Sequence, residues 1–242
     1  MRRIVMGCLV GLAWLCASGP VALGQGYPSG AGVPPRGQGV GQPGDALPGP
    51  AADEKPDAAA KKAFNAGVKS LNRAREFEEV AAKATNPDKK AGALDKVGDA
   101  YNKALDQFTE ALSNKGDMLD AWADVGYVHL RLGAYRESID DYNHALALKP
   151  DLLDAVEHRG EAYMAVDRLD EAKAAYMNLF NHAPPLADEL MASMRKWLES
   201  HRAQANGMRP ADIDAFGKWI SERDGLAKQT ASSNAPTDPV PH

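Results

Sequence analysis

Between Leu119 and Pro185 the chain states one pattern twice, 34 residues apart. The first copy runs Leu119-Asp120-Ala121-Trp122, Val125-Gly126, His129, Gly133-Ala134-Tyr135, Ser138, Tyr142, Ala145 and Lys149-Pro150. The second runs Leu153-Asp154-Ala155-Val156, Gly160, Tyr163, Leu169, Ala172, Tyr176, Leu179 and Ala183-Pro184. This constrains the fold more than any other feature, because a short repeating unit cannot bury its own apolar face and must stack on its neighbours. Each copy reads as two helices of about 14 residues facing one another across a turn. Gly126 and Gly160 lie mid-helix, where glycine costs about 1 kcal/mol relative to alanine. A glycine kept there marks the close approach of another helix. Ala145 and Ala172 do the same on the second helix of each pair. Trp122, Tyr142, Tyr163 and Tyr176 are the large side chains expected to fill the space opposite. Gly133 supplies the positive φ that ends a first helix. Pro150 and Pro184 end the second helices and open the next unit.

The period and the order of Trp, Gly, Tyr, Ala, aromatic and Pro resemble the tetratricopeptide repeat over residues 119–186, and more loosely on either side. The resemblance implies an all-α solenoid of antiparallel helix pairs, with regular units at 119–152 and 153–186. Upstream, Phe64-x-x-Gly67 resembles the first-helix glycine motif, and Tyr101, Ala104, Phe108 and Ala111 match second-helix positions. Residues 57–118 therefore read as an extended, degenerate first repeat. The interval from Gly67 to Ala104 is too long for one unit, so either its helices are several turns longer or a further element is inserted; extension is the favoured reading. Asn86-Pro87-Asp88 marks a turn and a helix start inside it. Downstream, helices over about Leu186–His201 and Pro210–Lys228 read as C-terminal capping helices within 187–228, with Asn206-Gly207 breaking the chain between them. The tail 229–242, with Pro236, Pro239 and Pro241, is expected to be disordered.

The N-terminal quarter has a different character. Arg2-Arg3, the apolar run Ile4–Cys16 and the small residues of Ala22-Leu23-Gly24 read as a secretory signal peptide over residues 1–24. The alternative is an uncleaved anchor, but the run is short and glycine-broken against the roughly 20 apolar residues of a spanning helix. A lipoprotein reading is weak, since Leu15 precedes Cys16. Cleavage would leave no integral membrane span and no cysteine, because Cys8 and Cys16 are the only two. Residues 25–56 are so rich in Gly and Pro that they cannot bury enough apolar surface to offset ordering entropy, and they read as a flexible linker. The net charge of −5 becomes two units more negative without Arg2 and Arg3. A mildly acidic body gives no electrostatic reason to expect nucleic acid.

Signals of catalysis are poor. There is no glycine-rich phosphate loop, no Gly-x-Ser-x-Gly and no His-Glu-x-x-His. None of the six histidines stands three or four residues from another, so no helical metal pair forms. His129, where the family carries tyrosine, reads as a packed aromatic substitute. No catalytic residue, metal site or cofactor is expected.

Binding is the better reading. The resemblance places a concave groove along the first helices, lined by the second, fifth, ninth, twelfth and thirteenth positions of each unit. In the first unit these are Asp120, Ala123, Tyr127, Leu130 and Arg131; in the second, Asp154, Glu157, Glu161, Met164 and Ala165. Some relatives hold a C-terminal carboxylate with Lys, Asn and Arg at the fifth and ninth positions. Here Ala123, Tyr127, Glu157 and Glu161 stand there, so that clamp is missing. An acidic rim beside Tyr127, Leu130 and Met164 is expected to select basic or neutral amphipathic protein segments. The expected protein is an exported, periplasmic or extracellular, non-catalytic interaction scaffold of the bacterial envelope. The rivals are an accessory subunit recruiting an envelope hydrolase or secretion machine, and an enzyme without a recognisable motif.

Overall fold

The computed structural model describes residues 56–204 and 207–233. The expected leader (1–24), the linker up to residue 55, Asn206 and the tail from residue 234 lie outside the described residues. Among the described residues eight helices follow in order: α1 (Pro56–Lys83), α2 (Pro87–Asn114), α3 (Leu119–Leu132), α4 (Tyr135–Leu148), α5 (Leu153–Ala165), α6 (Leu169–His182), α7 (Pro184–Ala203) and α8 (Pro210–Ser233). Across the described residues they form an all-helical stack in which consecutive helices pair. Among the described residues no helix is long and apolar enough to cross a membrane.

Local sequence explains the helix ends. The Asn86 side chain accepts from the backbone N–H groups of Asp88 and Lys89 at 2.9 and 3.0 Å, capping α2, and Pro87 occupies a first-turn position that needs no donor. Gly133 takes φ +80 and closes α3, as its place in the repeat predicts. The matching residue of the next unit is Asp167, which adopts φ 60 without being glycine. Two helices of 28 residues each account for the hairpin upstream of α3. Pro184 begins α7 two residues before the expected Leu186, since proline is tolerated in a helix's first turn. Helix α8 runs past Lys228 to Ser233, so the first residues of the expected disordered tail are helical. The apolar stripe ends earlier, but no glycine or proline between Leu226 and Ala235 stops the helix.

Packing follows the glycines. A Cβ on Gly67 would stand 2.5 Å from the Phe108 ring, and one on Gly126 3.0 Å from the Tyr142 ring. Phe108 and Tyr142 are fully buried in these two slots. The third slot departs from the expected pattern. Gly160 is met by Leu190 of α7 at 2.8 Å and by Ala175 at 3.2 Å, not by an aromatic of its own unit. Tyr176, the counterpart of Tyr142, packs instead against Phe180 and edge-on against Trp219 of α8 at 5.4 Å. Trp122 stacks on His144 at 4.4 Å and donates its indole N–H to the Gly116 carbonyl. Helices α7 and α8 close the stack with Leu190, Met194, Trp197, Ile213 and Phe216 in one continuous core with α5 and α6.

Candidate functional site

The first helices of successive pairs touch one another and build one face. Glu78 of α1 pairs with Arg131 of α3. The Arg75 guanidinium lies 5.1 Å over the Tyr127 ring, and Tyr127 meets His158 of α5 edge-on at 5.3 Å. Glu161 of α5 accepts from the Ser193 hydroxyl of α7 at 2.6 Å. This face carries the residues singled out by the repeat register, though not all of them openly.

Asp120 and Asp154 are exposed; Ala123, Tyr127, Leu130, Glu161 and Ala165 are half-buried. Arg131 is committed to the ion pair with Glu78, which also accepts from the Tyr101 hydroxyl at 2.9 Å, so it fastens α3 to the first hairpin. Met164 is 4 % exposed and its carbonyl accepts from the Trp197 indole at 3.0 Å. It is a core residue under α7, not an open apolar contact. Glu157 is 5 % exposed, so it does not contribute to an exposed acidic rim. Both corrections have one cause: α7 lies over α5 and covers the flank of that helix.

The electrostatics of the face follow from that burial. Burial pushes the Glu157 carboxyl up to about 9, and the carboxylates of Glu161, Glu189 and Asp154 add to the effect. Burial thus favours the neutral carboxyl, whose Oε2 lies 3.2 Å from Nδ1 of His158. One turn beyond Asp120, Asp124 is pushed up to about 6 by burial, with Arg75 opposing and Asp120 reinforcing. The Tyr142 hydroxyl is raised well above its ordinary range by burial, then by Glu157, Tyr127, Glu161 and Asp124. It has no hydrogen-bond partner. The His158 ring stacks near Tyr142 at 6.1 Å and donates through Nδ1 to the Asp154 carbonyl at 2.7 Å.

Helical spacing from Asp120 was the available signal for Asp124. Tyr142 and Glu189 come from other helices, and nothing local in the sequence directs them here. His129 sits away from this cluster, with Nδ1 2.6 Å from Asp141 on α4, joining the two helices of its own unit. Among the described residues no group of three or more His, Cys, Asp or Glu is placed to hold a metal ion. What the face offers is crowded, partly desolvated carboxylates, an arrangement that attracts positive charge and repels a carboxylate ligand.

Residues 119–152 match the family model of the tetratricopeptide repeat. No curated protein matches the chain in sequence. Among solved structures, the chain is similar to the Arabidopsis OM64 TPR domain at 18 % identity, covering 55 % of this chain and 98 % of that one with a TM-score of 0.40. It is similar to the TPR2B domain of yeast Sti1 in its pHsp70 complex at 14 % identity, covering 68 % and 98 % with a TM-score of 0.35. It is also similar to the MamA RS-1 ArsTM double mutant at 18 % identity, covering 69 % and 96 % with a TM-score of 0.34.

Proposed function

We propose that this tetratricopeptide-repeat protein is a non-catalytic interaction scaffold of the bacterial cell envelope that binds a segment of a partner protein along its first-helix face. The observation that supports this reading is the continuous contact of α1, α3, α5 and α7 through side chains on one face, where Asp120, Asp124, Asp154 and Glu161 collect negative charge. Export is supported by the charged start Arg2-Arg3, the apolar run and the small residues before Gln25. With both cysteines inside that leader, the exported chain depends on helix stacking and not on disulfides for stability.

The test places a photo-crosslinking amino acid at Ala123 on the first-helix face, and in a second strain at the exposed Asp140 on α4. A protein adduct at Ala123 and none at Asp140 is the expected result. Adducts at Asp140 alone would put the partner on the other face. N-terminal sequencing of the envelope form should begin near Gln25, and a retained, thiol-reactive Cys8 or Cys16 would contradict export by a cleaved leader.

A further inference from the structure

Helix α1 has an edge on either side of the face it buries against α2. Toward α3 it sends Arg75 and Glu78, which meet Tyr127 and Arg131. On the other side Ala66, Ser70, Arg73, Phe77 and Val80 follow at steps of four, three, four and three, so they line one edge of the helix. Helix α2 reaches only the near margin of that edge: Ser70 bonds Gln107 at 2.7 Å, and the Lys96 ammonium lies 5.8 Å from the centroid of the Phe77 ring. The Arg73 guanidinium lies over the same ring at 5.4 Å. Arg73 and Lys96 are exposed, and Val80 is 56 % exposed. Among the described residues neither cation forms an ion pair, although Glu76 and Asp99 stand one turn away on their own helices. The terminal helices of a stack are expected to present a polar outer face, and α8 at the other end turns Asp214, Lys218, Ser221 and Glu222 outward. The α1 edge is instead apolar at its centre and cationic on both flanks.

We propose that this outer edge of the α1–α2 hairpin docks an amphipathic helix of a partner protein, apolar along one face and carrying carboxylates beside it. The edge lies on the side of the hairpin away from α3, so the site is separate from the first-helix face and does not depend on it. A helix fits because the edge repeats at the three-four spacing with which one helix packs on another, and Ala66 and Ser70 are small enough to admit a second backbone. Phe77 and Val80 supply the apolar contact at the end nearer the hairpin turn. Charge then selects the partner. The Arg73 guanidinium can keep its place on the ring while its edge N–H donors take a carboxylate, and Lys96 offers a second cation from α2. A basic helix would set like charges against both.

The probe is a fluorescent, end-capped amphipathic peptide with leucines along one face and glutamates flanking them, measured against the full mature chain by anisotropy. Its control is the same peptide with glutamine for glutamate. The glutamate peptide should bind about five- to tenfold more tightly than the control, and Arg73→Gln with Lys96→Gln should remove most of that difference. Arg136→Gln with Lys149→Gln, an equal loss of charge from exposed positions of α4, should leave it in place. Val80→Glu should weaken binding of the glutamate peptide at least about tenfold while leaving the thermal midpoint unchanged, because the side chain is more than half exposed. Equal affinity for the two peptides overturns the proposal, as does a preference that survives Arg73→Gln with Lys96→Gln or falls equally with the α4 pair. Self-association of the wild type that Val80→Glu abolishes would give the edge to a second copy of this chain and overturn it. Binding to phosphatidylglycerol vesicles that Arg73→Gln with Lys96→Gln abolishes, without a preference between the peptides, would give it to an anionic membrane and overturn it as well.

Discussion

The two regular units share a register, yet they are completed differently. In the first, the slot, the buried hydroxyl and the turn are supplied from within: Gly126 receives Tyr142, Ser138 donates to the Gly126 carbonyl at 2.8 Å, and Gly133 turns the chain. In the second, the equivalent positions are Gly160, Ala172 and Asp167. The slot is filled from outside by Leu190, the hydroxyl is missing, and the left-handed turn is made by an aspartate. The fifth positions diverge as well, Ala123 against a buried Glu157. A repeat motif therefore fixes where helices meet while leaving open which neighbour supplies the contact. The second unit leans on α7, and that dependence brings a carboxyl group out of water.

Leucine at the two glycines is the harshest way to break this comparison. Gly126→Leu drives a branched side chain into a ring that is itself fully packed, and should cost about 3 kcal/mol or more. Gly160→Leu meets the rotatable methyl ends of Leu190 at 2.8 Å and Ala175 at 3.2 Å, and should cost about 1–3 kcal/mol. Urea unfolding of both variants gives the order. If Gly160→Leu proved the more damaging, the α7 contact would be the rigid one.

The carboxyl of Glu157 predicts a pH dependence in the second unit that extends well above the window of Asp124 in the first, which closes near pH 6. Between its ordinary value of 4.5 and about 9 the folded state holds a proton that the unfolded state has lost. Stability from this group is complete below that window and declines as pH rises through it, by up to about 1.4 kcal/mol per unit. Glu157→Gln should flatten the slope and raise the midpoint most at pH 8.5, measured against pH 5.5. Parallel pH profiles for variant and wild type would show that Glu157 is ionised in the folded protein.

Smaller effects sharpen the comparison. Ser138→Ala removes a buried bond whose acceptor lies within a helix, and should cost about 1 kcal/mol, read from thermal melts. The second unit already carries alanine there. Asp167→Gly relieves a left-handed residue and should gain about 0.5 kcal/mol, whereas Gly133→Asp should lose a similar amount or more. Gains from both would mean that turn chemistry is not what distinguishes the units.

The repeat register made the all-helical stack, the Gly126–Tyr142 contact and the Gly133 turn legible before any coordinates, because each depends on residues within one unit. It failed where a distant helix intervenes. Met164 and Glu157 occupy groove positions by count, but α7 covers them, and α7 lacks the spacing that would have announced its path. Arg131 looked available because the register between α1 and α3, which brings Glu78 to it, is not periodic. Tyr142 was read correctly as packing, while its unpaired hydroxyl is visible only once α4 and α5 are placed together. The candidate face was legible as a list of positions, and its chemistry was not.

The Leu190 contact at Gly160 also sets an order of assembly. A chain emerging from its N-terminus can finish the α1–α2 hairpin and the α3–α4 pair from residues already present. The α5–α6 pair cannot, because its slot stays vacant until residue 190 has followed. The carboxyl group of Glu157 is thus among the last on this face to lose its water, since its helix stays uncovered until α7 has followed.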